Sequence, residues 1–120
     1  IGNNKQDMPL VGVHSIGKLP KLLRLSGGKY SLLKGYTGSI AVNNSASLVA
    51  VTSPIGSKAF VWDSENRLLK KCLNITAPCG AASFGQNGFL FSNERGNLMI
   101  NDSSLKKYKS FFWDNHITKI

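Results

Sequence analysis

Gly38-Ser-Ile-Ala-Val-Asn43, Leu48-Val-Ala-Val-Thr-Ser53 and Lys58-Ala-Phe-Val-Trp-Asp63 are three short runs set off by Asn, Ser, Pro and Gly, and their spacing decides the fold. Apolar residues alternate or cluster over five or six positions between turn formers, which is the pattern of strands and tight turns. Arg67–Leu73 supplies a fourth, lysine-bearing run. The set then recurs. Gly80-Ala-Ala-Ser-Phe84 opens 42 residues after Gly38, Gly88-Phe-Leu-Phe-Ser92 closes 39 residues after Ser53, and Asn97–Asp102 ends 39 residues after Asp63. Lys106–Phe112 is the second lysine-bearing run. Four strands per unit at about 40-residue spacing is the signature of β-propeller blades.

Outward from this pair of units, Pro9–His14 and Leu19–Leu25 read as two further strands, although the stretch Lys21 to Leu33 also suits a short helix. Val11-Gly-Val-His14 matches Phe60-Val-Trp-Asp63, and Lys18–Leu25 takes the place of an outer strand. The expected fold is therefore all-β, with about two and a half four-stranded propeller blades. Residues 1–37 would be the end of a preceding blade and a connector, 38–78 and 79–113 two blades, and 114–120 the start of a closing strand. A closed propeller needs about four to eight blades. The expectation is thus a C-terminal fragment of a larger propeller, with the remainder supplied by an N-terminal portion.

Composition fits one globular domain: 120 residues, 42% apolar and 18% charged. The longest apolar runs are pairs and triplets such as Phe89-Leu90-Phe91, far short of the ~20 residues of a membrane helix. A net charge of +9 raises nucleic acid as a partner. The lysines are dispersed, however, with no run of five, and water-facing strands carry such lysines to resist edge pairing. Nucleic-acid binding is accordingly not favoured. Cys72 and Cys79 stand seven apart, fit no zinc pattern, and suit either a disulfide or two separate small apolar residues. Gly12-Val-His-Ser-Ile-Gly-Lys18 spells GxxxxGK, but Leu19 stands where a Mg²⁺-binding hydroxyl is needed, so the segment reads as a hairpin turn. The six carboxylates are scattered over separate turns and supply no nucleophile, base and orienting group together. An enzyme is the less favoured class.

Leu10-Val-Gly-Val-His14, Lys34-Gly-Tyr-Thr-Gly-Ser-Ile40, Leu48-Val-Ala-Val-Thr-Ser-Pro54, Phe60-Val-Trp-Asp63, Cys79-Gly-Ala-Ala82, Gly88-Phe-Leu-Phe-Ser92 and Trp113-Asp-Asn-His116 occur in this order. Together they resemble the C-terminal third of a family of uncharacterised bacterial exported proteins with a propeller-like repeat. That resemblance implies a twin-arginine export signal, a periplasmic location and a protein partner in an imelysin-type iron-uptake system. Trp62-Asp63 also resembles the closing dipeptide of WD-repeat blades. The matching Gly-His is absent, and the second unit carries Asn101-Asp102 instead.

In a propeller the innermost strands start at a rim where loops converge and ligands bind. Tyr36 and Thr37, Cys79, and Trp113-Asp114-Asn115-His116 reach that rim at equivalent positions, joined by Ser53 and by Glu94-Arg95 from the loops after second strands. These are the expected ligand or partner residues. Cys79, Asp114 and His116 are the metal-ligand candidates, suited to iron or copper. The structural alternative is that Tyr36 and Trp113 pack the rim, Cys79 fits a crowded turn and His116 caps a strand.

Overall fold

A computed structural model describes residues 8–25, 29–101, 103–108, 110, 113 and 117. Within them the chain is all-β, with three antiparallel sheets and one five-residue 3-10 turn, Lys29–Leu33. A two-stranded hairpin of β1 (Gly12–Val13) and β2 (Lys21–Leu22) comes first. The middle sheet follows in the order β3 (Ile40–Val42), β4 (Leu48–Ser53), β5 (Lys58–Asp63), β6 (Leu69–Asn74). The second sheet repeats that order with β7 (Pro78–Phe84), β8 (Gly88–Asn93), β9 (Asn97–Ile100) and β10 (Ser103–Lys107). Each four-stranded sheet is a meander in which consecutive strands pair, as the short turn-rich connections require.

Several expected elements change. The helix that suited Lys21 to Leu33 is realised only as the 3-10 turn. β6 begins at Leu69, not Arg67, because Arg67 sits at φ 61° and belongs to the turn. β9 ends at Ile100, because Asn101 turns the chain at φ 54°, and the last described strand is Ser103–Lys107 where Lys106–Phe112 was expected. Asparagine tolerates this left-handed region better than most residues. The free cysteines settle the sulfur alternatives: Cys72 is exposed on β6 and Cys79 is buried on β7, so they are not bridged.

The middle sheet is covered on both faces. Toward the second sheet it turns Ala50, Ala59, Val61, Leu73 and Ile75, which pack on Ala81, Phe89, Phe91 and Met99. Toward the hairpin it turns Val49, Val51, Phe60 and Trp62, which pack on Val11, Leu23, Leu25 and Leu33. Strand alternation makes this division, since neighbours in a strand face opposite ways. Phe60 and Trp62 stack at 5.6 Å. Each large side chain fully buried here contributes roughly 1.5–3 kcal/mol over leaving it in water.

The two faces correct the upstream alignment. Val11 and Val13 face the middle sheet, as Ala59 and Val61 face the second sheet. β1 opposes β2 with Val13↔Lys21, as β5 opposes β6 with Val61↔Lys71. Leu23 and Leu25 then correspond to Leu73 and Ile75, and all four are buried. The segment therefore matches Ala59-Phe-Val61, one residue earlier than the expected match to Phe60–Asp63. A one-residue slip turns every side chain to the other face, so only the register decides between the two.

Candidate functional site

The meander sends odd and even strands in opposite directions, so one end of the molecule gathers the starts of β3 and β7, the β4–β5 turn and the β8–β9 turn. Tyr36, Thr37, Ser53, Cys79, Glu94 and Arg95 all lie at this end. Trp113 is half-buried and meets Tyr108 edge-on at 5.7 Å. Asp114, Asn115 and His116 lie outside the described residues.

Thr52, at the end of β4, holds the first of these groups together. Its hydroxyl accepts a hydrogen bond from Ser39 N–H at 2.8 Å and donates to the Cys79 carbonyl at 2.8 Å, tying the first strand of one sheet to the first strand of the next. Ser39 Oγ in turn accepts from Ala81 N–H at 3.2 Å. Gly38 is required at this junction: a Cβ there would lie 2.9 Å from Pro54 Cγ and 3.2 Å from the Cys79 carbonyl. The device recurs in the second sheet, where Ser92 Oγ accepts from Gly80 N–H at 3.1 Å. A Cβ on Gly80 would meet Ile117 and Ser92 Oγ at 2.7 Å.

Two expected site residues serve the fold through their side chains. Ser53 Oγ donates to the Leu33 carbonyl at 2.9 Å and accepts from Gly56 N–H, fastening the 3-10 turn to the end of β4. Cys79 is 3% exposed, and its thiol donates to the Ala77 carbonyl at 3.3 Å. Tyr36, Glu94 and Arg95 remain exposed. The end of the molecule thus offers a phenol, a carboxylate and a guanidinium to whatever meets it. Among the described residues no three His, Cys, Asp or Glu side chains come together in a metal-sized cluster. Cys79 is buried with its thiol on Ala77, and the other two metal-ligand candidates, Asp114 and His116, lie outside the described residues.

Sequence reasoning passed over Asn43 and Asn93, both 3% exposed. The Asn93 side-chain carbonyl accepts from Arg95 N–H and Asn97 N–H and shapes the turn that displays Glu94 and Arg95. Asn43 does the same at the opposite end, accepting from Leu48 N–H and donating to the Gln86 carbonyl across the two sheets at 3.2 Å. Their signal was the placement of an Asn at each strand end, where a short amide can replace a backbone partner.

That opposite end holds a groove of about 680 Å³ between the hairpin and the middle sheet. His14, Lys18 and Lys21 line one wall, Asp63 and Glu65 the other, with Ile40, Val42 and Val49 beneath. The GxxxxGK segment forms its hairpin wall, turning through Lys18 N–H to the Ser15 carbonyl at 3.0 Å, with Gly17 at φ 77°.

Stacked four-stranded meanders, joined first strand to first strand by a hydroxyl, define an all-β repeat protein. The whole chain, residues 1–120, matches the family described as "Protein of unknown function (DUF1513)", and the protein belongs to that family. No curated protein matches the chain significantly.

Proposed function

We propose that the two four-stranded sheets are consecutive β-propeller blades, that β1 and β2 are the outer strands of a third, and that the protein is a non-catalytic binding module. The observation that carries this reading is the Thr52 hydroxyl bridging Ser39 and Cys79, because it sets the first strands of successive sheets side by side, as a propeller channel requires. The partner then meets the end bearing Tyr36, Glu94 and Arg95. Fold alone warrants no activity, so the case rests on those exposed side chains. A periplasmic location and a protein partner in iron uptake are supported only by the family resemblance of the sequence motifs.

The test is site-specific photocrosslinking in the native host, with the crosslinker at Tyr36 or Arg95 and, as a control, at Glu65 on the opposite end. One defined adduct from the first two positions and none from Glu65 is expected. Adducts from Glu65 alone, or from no position, would sink the assignment of the binding end. The second reading is a metal protein or enzyme using Cys79, Asp114 and His116. It requires stoichiometric iron or copper in protein purified without chelator, lost in Cys79→Ala and in His116→Ala while circular dichroism stays unchanged.

A further inference from the structure

Between the middle and second sheets, at the end away from Tyr36, lies a cavity of about 400 Å³, the size of a small-molecule site. It occupies the other face of the middle sheet from the hairpin groove. Its lining follows from strand register. Leu48 opposes Asp63 and Val61 opposes Lys71, and directly opposed residues share a face, so these four turn toward the second sheet, as the packing of Val61 and Leu48 shows. Leu48, Val61 and Phe89 form the apolar part of the lining. The bond from Asn43 to the Gln86 carbonyl holds the β7–β8 turn, whose Asn87 stands on the rim, against the middle sheet.

Two adjacent lysines of a regular strand face opposite ways. β6 departs from that rule. Its pairing slips where Val61 and Trp62 oppose Lys71 and Leu69, so Lys70 is the extra residue of a β-bulge and both lysines line the cavity. Both are exposed, and neither meets a carboxylate among the described residues. Asn101 adds a third donor: its N–H donates to the Phe89 carbonyl at 2.8 Å and its side-chain carbonyl accepts the Phe89 N–H at 3.3 Å, which leaves the amide NH2 to donate elsewhere. Asp63 is the one carboxylate of the lining, with Oδ1 accepting the Glu65 and Asn66 N–H groups at 2.9 and 2.8 Å.

We infer that this cavity binds a small organic monocarboxylate, its carboxylate on Lys70 and Lys71 and its apolar body on Leu48, Val61 and Phe89. Two ammonium groups against one carboxylate leave a single positive charge, which matches one acid group, and Asp63 repels a second. Charge-assisted hydrogen bonds from the lysines are about twice as strong as neutral ones, so they set the charge of the ligand. The apolar lining sets its shape, favouring a ring or branched chain over acetate. The inference uses neither the binding end at Tyr36 nor the assignment of the sheets as blades.

The probe is 3-phenylpropanoate, added to the intact 120-residue protein while backbone amide shifts are followed by NMR. Saturable shifts are expected at Val61, Lys71 and Phe89, with a dissociation constant of about a millimolar or lower for a ligand of this size. The uncharged 3-phenylpropanamide should bind about tenfold more weakly, as should the probe to a Lys70→Ala, Lys71→Ala double variant, whose two positions are exposed. Lys106→Ala with Lys107→Ala removes the same charge from β10 and should leave affinity within about twofold. The absence of saturable shifts up to about 10 mM, or equal affinity for the amide, would overturn the proposal. Equal losses in the two double variants would overturn it too, by reducing the binding to the attraction of any anion to a basic protein. The amide comparison uses the unsubstituted protein and therefore decides the matter even where a variant does not fold.

Discussion

The middle sheet meets a full sheet on one face and a two-stranded hairpin on the other, and the difference shows what a repeat needs to close an interface. Toward the second sheet, small residues of β3, β4 and β5 (Ala41, Ala50, Ala59) accept the rings of Phe89 and Phe91, and polar clasps hold both ends of the contact. Thr52 to Cys79 and Ser39 to Ala81 fasten one end, and Asn43 to Gln86 fastens the other. Toward the hairpin the large residues belong to the middle sheet itself, Phe60 and Trp62. The fastening lies on the outer side, where Trp62 Nε1 donates to the Arg24 carbonyl at 2.8 Å. The apolar effect drives both contacts. Only the first buries the strands nearest its sheet edge.

The comparison breaks or sharpens under substitution. The largest loss is expected for Phe91→Ala in the complete interface, about 3–5 kcal/mol by urea unfolding, because the rigid layers around a fully buried ring cannot collapse into the space. A loss below about 1 kcal/mol would mean that the two sheets are not packed as described. Thr52→Val comes next. It keeps shape but removes the hydroxyl, leaving Ser39 N–H and the Cys79 carbonyl without that partner, at about 1–3 kcal/mol. Chemical denaturation measures it, and amides of β3 and β7 should lose protection ahead of those of β9.

Trp62→Phe probes the half-built interface at about 1–2 kcal/mol, from lost area and the lost bond to Arg24. Hydrogen exchange should quicken at Gly12–Leu23 and stay unchanged in the second sheet. Equal quickening in both would show that the hairpin is not separately held. The smallest effect is expected for Val42→Ala, within about 0.5 kcal/mol, since its side chain is already half in water. A cost near 2 kcal/mol would show that the groove over β3 is filled in solution. Urea unfolding of Val42→Ala beside the unsubstituted protein separates these cases.

Most of the strand pattern was legible because period-two runs and Gly, Asn and Ser turns are local properties of the chain. Matching Gly38 to Gly80 and Ser53 to Ser92 by eye was off by one residue: Ser39 and Gly80 are the pair that donate their N–H groups to the hydroxyls of Thr52 and Ser92, although a Cβ would collide at Gly38 and Gly80 alike. Val11–His14 was misaligned by one residue because its sequence suits either register. Only the burial of Val11 against Phe60 and Trp62 chooses. At the candidate binding end, the topology implied which loops share a side. It did not say which side chains point outward: Ser53 turns inward to the Leu33 carbonyl, and Cys79 to the Ala77 carbonyl two residues before it. Thr52 was read as part of a strand, although it ties three strands together.

By itself the sequence determined that this is an all-β chain with a repeated four-strand unit, because alternation and turn chemistry act over a few residues. It also determined the membership in an uncharacterised family. Tertiary structure alone decided which face each strand buries, which hydroxyls become clasps, and that β1 and β3 leave a groove between them. Those outcomes depend on contacts between residues tens of positions apart, and local propensity carries no information about the partner.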